Sequence, residues 1–344
     1  MQANRKTTPV TGKARDITMR DGLYRLDLAA QDGMDHGAMR LSDGRFFGAA
    51  SRYVFQGRLQ TGEGGGLTGA MTVRKTRDQS APVLGQFKEA TLAIRGSYDP
   101  VARTFSWDGQ AYGHHSIIIQ GRGHELPPRT EAAAHFPPVG PGALMLLRHA
   151  SVERPPDALL GTDDPPLSDA GLLEAMAWQP FFTANPPAAV LSSPLQRALQ
   201  TARLAVTPQS ALAEALFLRD ELREINLGSW EGLDRKAIER RWPGAWEERG
   251  GNFAGYRPEG GESFQDVLDR ALPVFREMAA RAETENGPVL AVTHAGVIRT
   301  LLCHILGMPL NNLFRIQLDW AGLSILEPAG GMWRVRCLNL QPGD

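Results

Sequence analysis

Cysteine is scarce in this chain. Only Cys303 and Cys337 occur among 344 residues, and neither sits in a Cys-x-x-Cys pair. Two thiols cannot build a disulfide framework, so a disulfide-stapled scaffold is excluded and two reduced thiols are expected. Charge of one sign is also missing: 37 Lys and Arg stand against 38 Asp and Glu. That balance gives no global attraction to nucleic acid or to an anionic membrane. No apolar run approaches the length of a bilayer span. The opening residues, MQANRKTTPVTGKARD, are basic and polar, without the apolar stretch of a secretory signal. A cytoplasmic protein with no membrane and no nucleic-acid partner is expected. The length suits two cores better than one.

What is present divides in two. Residues 1–20 read as a disordered leader. From 21 to 123 the pattern is short and period-two, with strands expected at 23–28, 37–41, 45–48, 52–59, 67–73, 86–94, 104–107 and 116–120. Asp32-Gly33, Asp43-Gly44, Asp99-Pro100 and Asp108-Gly109 supply turn chemistry between them. Many short strands with regular turns imply an all-β antiparallel barrel or sandwich. His114-His115 invites a metal reading, but no carboxylate or cysteine stands at supporting spacing.

Residues 124–142 hold two Pro-Pro pairs and Gly140-Pro141-Gly142, the composition of a semi-rigid linker. Such a linker implies separately folding units, so a fragment starting near Gly140 is expected to keep its activity. From 143 to 344 strands alternate with helices. Strands are expected at 144–147, 189–191 and 289–293, and helices at 168–178, 194–205, 263–283 and 297–306. Ser263 is a candidate N-cap, with Asp266 three residues on. A late hairpin over 325–338 would turn at Ala329-Gly330-Gly331. This alternation implies an α/β three-layer sandwich around a mainly parallel sheet.

Two strands of that sheet end on histidine: Leu147-Arg148-His149-Ala150 and Thr293-His294-Ala295-Gly296. The carboxyl ends of parallel strands are where open α/β sheets bind ligands. Phosphoryl transfer needs positive charge on the phosphate oxygens, an in-line nucleophile and a proton for the leaving group. A neutral His149 imidazole can attack phosphorus. Arg148 and Arg197 can bind phosphate oxygens bidentately, and His294 can donate a further bond. Glu224 is the candidate proton donor, then the base for water. Singly, Arg197 reads as a surface ion pair and Glu224 as a solvated carboxylate. Together they read as a site. Trp230 and Trp242 are expected to pack rather than to stack on substrate.

The second half resembles the histidine phosphatase superfamily, the phosphoglycerate-mutase-like enzymes. Its motifs read Arg148-His149-Ala150, Pro166-Leu167-Ser168-Asp169-Ala170-Gly171, Ser192-Ser193-Pro194-Leu195-Gln196-Arg197-Ala198, Leu222-Arg223-Glu224-Ile225-Asn226-Leu227-Gly228-Ser229-Trp230-Glu231-Gly232, Pro258-Glu259-Gly260-Gly261-Glu262-Ser263 and Thr293-His294-Ala295-Gly296. The resemblance implies a phosphomonoesterase working through phospho-His149, with Arg148, Arg197, His294, Ala295 and Thr162 toward substrate. No metal or other cofactor is implied. The Gly228-x-Trp230-Glu231-Gly232 form looks like the phosphatase branch. The mutase branch carries Glu-Arg-His-Tyr-Gly there. A mutase and a catalytically idle regulator that binds phosphorylated ligands or a protein are the alternatives. Two departures stand out: Ala150 replaces the family's glycine, and Pro155 replaces an asparagine often found six residues after the nucleophile. The loop around Gly161-Thr162-Asp163-Asp164 is reminiscent of α-ribazole-phosphate phosphatases.

The first half resembles the GrlR-like β-barrel family, named for a negative regulator of type III secretion. Gly22-Leu23-Tyr24, the stretch 37–48, Tyr53-Val54-Phe55-Gln56-Gly57, Leu67-Thr68-Gly69 and Gly85-Gln86-Phe87 carry that resemblance. Its founding regulators bind a transcription activator through an acidic loop. No Glu-Asp run occurs here, so that partner is not expected. A docking or self-association module is.

Overall fold

In the computed structural model, the described residues are 18–30, 33–75, 84, 87–127, 138–155, 157–206 and 216–342. Most of the expected leader, residues 1–17, lies outside them. Of its remainder, Met19 is buried against the barrel and its amide donates to Thr61 Oγ1 at 3.2 Å.

Eight antiparallel strands, β1 (Gly22–Ala30), β2 (Gly33–Ser42), β3 (Arg45–Ala50), β4 (Tyr53–Thr61), β5 (Gly66–Lys75), β6 (Glu89–Asp99), β7 (Thr104–Ala111) and β8 (His114–Glu125), form a closed barrel. β1 closes it by pairing with β8, Tyr24 opposite Glu125. Strict alternation decides which side chains fill the interior. Along β7 every second residue is buried, placing Phe105 and Trp107 inside. Gly121 makes room for that indole: a Cβ there would lie 2.0 Å from Trp107 Cε2. β8 runs to Glu125, so His124 and Glu125, assigned to the linker by composition, belong to the barrel. Residues 128–137 of the expected linker lie outside the described residues.

The second region is a six-stranded sheet flanked by helices. Strands β9 (Leu144–Arg148), β10 (Ala189–Ser192), β11 (Phe217–Leu218) and β12 (Val289–Thr293) run parallel in the order β11-β10-β12-β9. The hairpin β13 (Leu323–Ala329) and β14 (Met332–Leu340) adds antiparallel to β9. β10 and β12 are buried along their whole length, which is why they read as unbroken apolar runs. The helices are α1 (Asp169–Met176), α2 (Gln179–Ala184), α3 (Gln196–Ala205), α4 (Arg235–Arg241), α5 (Ala245–Gly251), α6 (Phe264–Thr284) and α7 (Ala295–Ile305). Ser263 caps α6 in a full capping box with Asp266. Periodicity missed α2, α4 and α5, each only six or seven residues long. Two turns are too few to display a 3.6-residue stripe.

The two regions are not merely tethered. Ala38, Ala49, Val54 and Leu126 of the barrel share one buried cluster with Leu172, Trp178 and Leu199 of the α/β region. Gln200 on α3 ties them directly: its Nε2 donates to His36 O at 2.6 Å, while its Oε1 accepts from Leu167 N of its own region at 2.9 Å. Asp169 receives Arg25 at 3.0 Å and His124 at 2.6 Å. No helix among the described residues is long and apolar enough to cross a membrane.

Candidate active site

β9 and β12 are adjacent and parallel, with Arg148 paired to Thr293. The next residue of each chain segment is therefore a histidine at the same sheet edge. The His149 and His294 rings lie 5.0 Å apart, centroid to centroid. Both are buried. His149 Nδ1 stands 2.9 Å from Ala150 O. A carbonyl only accepts, so Nδ1 carries the proton and Nε2 keeps its lone pair. Burial, then the nearby Arg197 and Arg148 guanidinium groups, hold the His149 pKa well below the usual histidine value. The imidazole is thus neutral and nucleophilic at neutral pH. His294 is depressed likewise, by burial first and then by Arg197 and His149. Its Nε2 meets Ser193 Oγ at 2.8 Å, and its Nδ1 is buried with no protein partner.

Arg148 lies under Trp320, with its guanidinium carbon 3.7 Å from the ring centroid, and one terminal nitrogen donates to Leu318 O. Burial pulls its pKa down to about 10, against the pull of Glu224. Arg197 is fully buried on α3, where its terminal nitrogens donate to Gly161 O and Asp163 O. The Nε atoms of both arginines are buried without a partner. Arg148 Nε, Arg197 Nε and His294 Nδ1 are thus three buried nitrogens of one site with no hydrogen-bond partner among the described residues. Such groups cost free energy unless something fills the space, and nitrogen donors of this kind suit an anion.

Glu224 comes from the acid motif, outside regular structure. Its carboxylate accepts from Ile225 N at 2.9 Å and Gly296 N at 3.1 Å. Gly296 permits that approach, since a Cβ there would fall 2.2 Å from Glu224 Oε1. Thr293 Oγ1 donates to Leu222 O at 2.7 Å, and Arg270 on α6 donates to the carbonyls of Arg223 and Glu224. Thr293 thus fastens the acid loop to β12, and Arg270 fastens it to α6.

A cavity of about 370 Å³ opens on part of this group, lined by Arg148, His149, Glu224 and Ala295 among others, while Arg197 and His294 lie behind its lining. Thr162 does not line it. Its amide, with those of Gly161 and Asp163, donates to Glu231, so the loop whose carbonyls hold Arg197 is itself held by one carboxylate. Ala150 has an ordinary negative φ, and its amide donates to Thr201 Oγ1 at 3.0 Å, so the added methyl is accommodated. Pro155 stays outside the cavity, while its neighbour Arg154 lines it. Trp230 is buried against Trp242 and Trp246, as the packing reading expects. Sequence reasoning missed Ser193, Glu231, Arg270 and Trp320. Ser193, Glu231 and Arg270 act through loops that only the fold brings together, and Trp320 precedes β13 without a motif of its own.

The matched family models fit this geometry. Residues 144–341 match the histidine phosphatase superfamily (branch 1), and the chain belongs to that family. Residues 19–128 match the model described as T3SS negative regulator, GrlR. The chain is 34% identical over 178 residues to glucosyl-3-phosphoglycerate phosphatase of Mycolicibacterium vanbaalenii, covering 49% of this chain and 76% of that one. A solved mycobacterial glucosyl-3-phosphoglycerate phosphatase complexed with VO3 superposes with a TM-score of 0.52 at 29% identity, over 58% of this chain and 99% of that one. The α-ribazole phosphatase from Shigella flexneri, at 24% identity and a TM-score of 0.52 over 58% of this chain and 96% of that one, shares the fold.

Proposed function

We propose that residues 143–344 hydrolyse a small phosphomonoester, without a metal, through a phosphohistidine on His149. The observation that carries this reading is the set of unpartnered buried nitrogens, Arg148 Nε, Arg197 Nε and His294 Nδ1, around a neutral His149. They suit the non-bridging phosphate oxygens. His149 Nε2 attacks phosphorus, the P–O bond to the leaving group breaks, and Glu224 gives that oxygen its proton. A water then loses a proton to Glu224, attacks the phosphohistidine, and releases inorganic phosphate and neutral His149. Arginine and histidine supply the positive charge that a magnesium ion supplies in other phosphoryl transfers. The phosphatases named above support hydrolysis rather than mutase chemistry, and glucosyl-3-phosphoglycerate and α-ribazole phosphate both belong in the substrate panel. The barrel acts as a docking or regulatory module in a cytoplasmic enzyme.

The test is a rapid quench with radiolabelled phosphomonoester. Acid-labile label should appear on the full-length protein and be absent from His149→Ala, and chelator should leave the rate unchanged. Turnover without a trapped intermediate, or activity restored only by a divalent ion, would refute the mechanism.

A further inference from the structure

The barrel reaches closer to the reacting residues than a docking module needs to. Tyr24 and Leu26 on β1 are buried inside it, so Arg25 between them faces out, across the junction, with 11% of its side chain exposed. Its Nη1 donates to Glu153 Oε1 at 2.8 Å and to Asp169 Oδ1 at 3.0 Å, and its Nε donates to Asp27 Oδ1 of its own strand at 3.1 Å. His124 on β8 meets the other Asp169 oxygen at 2.6 Å. Glu153 follows His149 by four residues. Its chain neighbour Arg154 lines the cavity, with its guanidinium carbon 5.6 Å from the Trp320 ring centroid. One side chain of the barrel therefore stands a single residue away from a cation of the site.

The segment after His149 is not fastened evenly. Its first half is held within the α/β region. Ser151 N and Oγ donate to the Glu174 carboxylate at 2.8 and 3.0 Å, Ser151 O accepts from Ser168 N at 3.0 Å, and a bridge joins Val152 to Leu167. A Cβ on Gly171 would fall 1.9 Å from Ser151 O, so α1 packs backbone against backbone here. The second half has little of this. Glu153 N reaches Pro166 O only at 3.4 Å, and among the described residues the Glu153 carboxylate is held by Arg25 alone. Glu153 and Arg154 are both exposed. Arg154 Nη1 donates to Ala158 O, which ties it to its own loop and not to the sheet. What fixes this end is the barrel. The Arg25 guanidinium joins the loop carboxylate to Asp169, the first residue of α1, and a planar fork of donors sets both in one geometry.

We propose that Arg25 of the barrel is a positioning residue for the phosphatase site: it clamps Glu153 against the start of α1 and so keeps Arg154 where it meets an oxygen of the substrate's phosphate. Resting on the phosphatase reading, this makes the barrel part of substrate binding and leaves the reacting groups to the α/β region. The effect is moderate, because 57% of the Glu153 side chain is open to solvent, which screens the pair.

The experiment separates kcat from KM for p-nitrophenyl phosphate on the full-length protein. Arg25→Met and Glu153→Gln should each raise KM by roughly 3- to 10-fold and change kcat by less than about twofold, as loss of uniform binding does. Arg25→Lys should recover part of the loss. Arg154→Met should raise KM at least as far as Arg25→Met. The decisive comparison is the double variant. If Arg25 acts through Arg154, Arg25→Met adds nothing to KM in an Arg154→Met background. Circular dichroism melts establish that the variants fold. If Arg25→Met does not, Glu153→Gln, which cuts the same bridge from its exposed end, takes its place in both backgrounds. An unchanged KM in the folded single variants, or effects that multiply in the double variant, overturns the proposal. Wild-type protein that leaves p-nitrophenyl phosphate intact breaks the phosphatase reading instead. Orthophosphate titrated by calorimetry then makes the same comparison, and equal affinity in wild type and Glu153→Gln rules the clamp out.

Discussion

Among the described residues of the barrel the one buried acidic residue is Asp35, and it is fully engaged: the amides of His36, Ser51 and Arg52 and the Ser51 hydroxyl all donate to it. In the α/β region His149, Arg197, Glu224, Arg249 and His294 are buried; Arg197 Nε and His294 Nδ1 have no hydrogen-bond partner, and His149, Glu224 and Arg249 line a cavity. Both regions bury comparable apolar cores, with Tyr24, Tyr53 and Trp107 on one side and Trp178, Phe181 and Trp230 on the other. The difference lies in how the unpaired atoms are distributed: in the barrel Glu125 Oε2 stands by itself, whereas Arg148 Nε, Arg197 Nε and His294 Nδ1 gather about His149. A buried polar group that is satisfied serves the fold, and one that is not marks a place where a ligand completes the structure.

The sharpest break of that contrast is loss of the proposed nucleophile. His149→Ala should lower kcat by roughly 10³-fold or more, whereas Met71→Ala in the barrel core should cost about 2–5 kcal/mol of stability and leave kcat unchanged. Steady-state kinetics beside denaturant unfolding separate the two outcomes, and equal kinetic effects would erase the proposed division. Glu224→Gln should come next, slowing alkyl phosphates by roughly 10²-fold or more and p-nitrophenyl phosphate much less. Equal losses on both would make Glu224 structural. Gly296→Ala should follow, because its methyl drives into Glu224 Oε1. A shift of about 1 Å in the acid would cost roughly 10²-fold in kcat, with Glu224→Gln and Gly296→Ala non-additive in the double mutant.

Acidity sharpens the comparison further. His149 and His294 have folded pKa values well below the ordinary 6.5. Below pH 6.5 the unfolded chain takes up protons that the folded site refuses, so stability should fall as pH falls and recover as it rises. The melting temperature should therefore drop between pH 6.5 and 5, and less so in His149→Ala. A melt indifferent to pH in both proteins would contradict the buried neutral pair. The smallest effect concerns the junction. A fragment from Gly140 should keep kcat on p-nitrophenyl phosphate within a few-fold. Its melting temperature should fall by roughly 2–4 °C for each kcal/mol lost with the barrel cover. A folded but inactive fragment would show that the barrel contributes to the chemical step.

The local record in the chain was legible where a single physical signal dominates. Period-two alternation announced the barrel strands, and Asp43-Gly44 turns between β2 and β3 as expected, but Asp108-Gly109, expected as a turn, lies inside β7, where the ladders to β6 and β8 hold it extended. Apolar runs ending in histidine announced β9 and β12. Motif order selected His149, Arg197, Glu224 and His294. The short helices α2, α4 and α5 escaped because they are too brief to show a period. The ordering of β12 beside β9, which sets the two histidine rings 5.0 Å apart, depends on strand pairing across 145 residues. Likewise Arg249 and Arg299 belong to no motif. Arg249 lies on α5, Arg299 on α7 and Phe314 in the turn after it, and only packing brings them to one cavity. The Gln200 bridge to His36 belongs with these, being a contact that neither half displays alone. The sequence by itself determined which residue types can carry phosphoryl transfer and which segments are strands, since both follow from local chemistry and spacing. Only the tertiary structure decided which of the buried cations are left without partners, because satisfaction is a property of every neighbour at once and not of any segment.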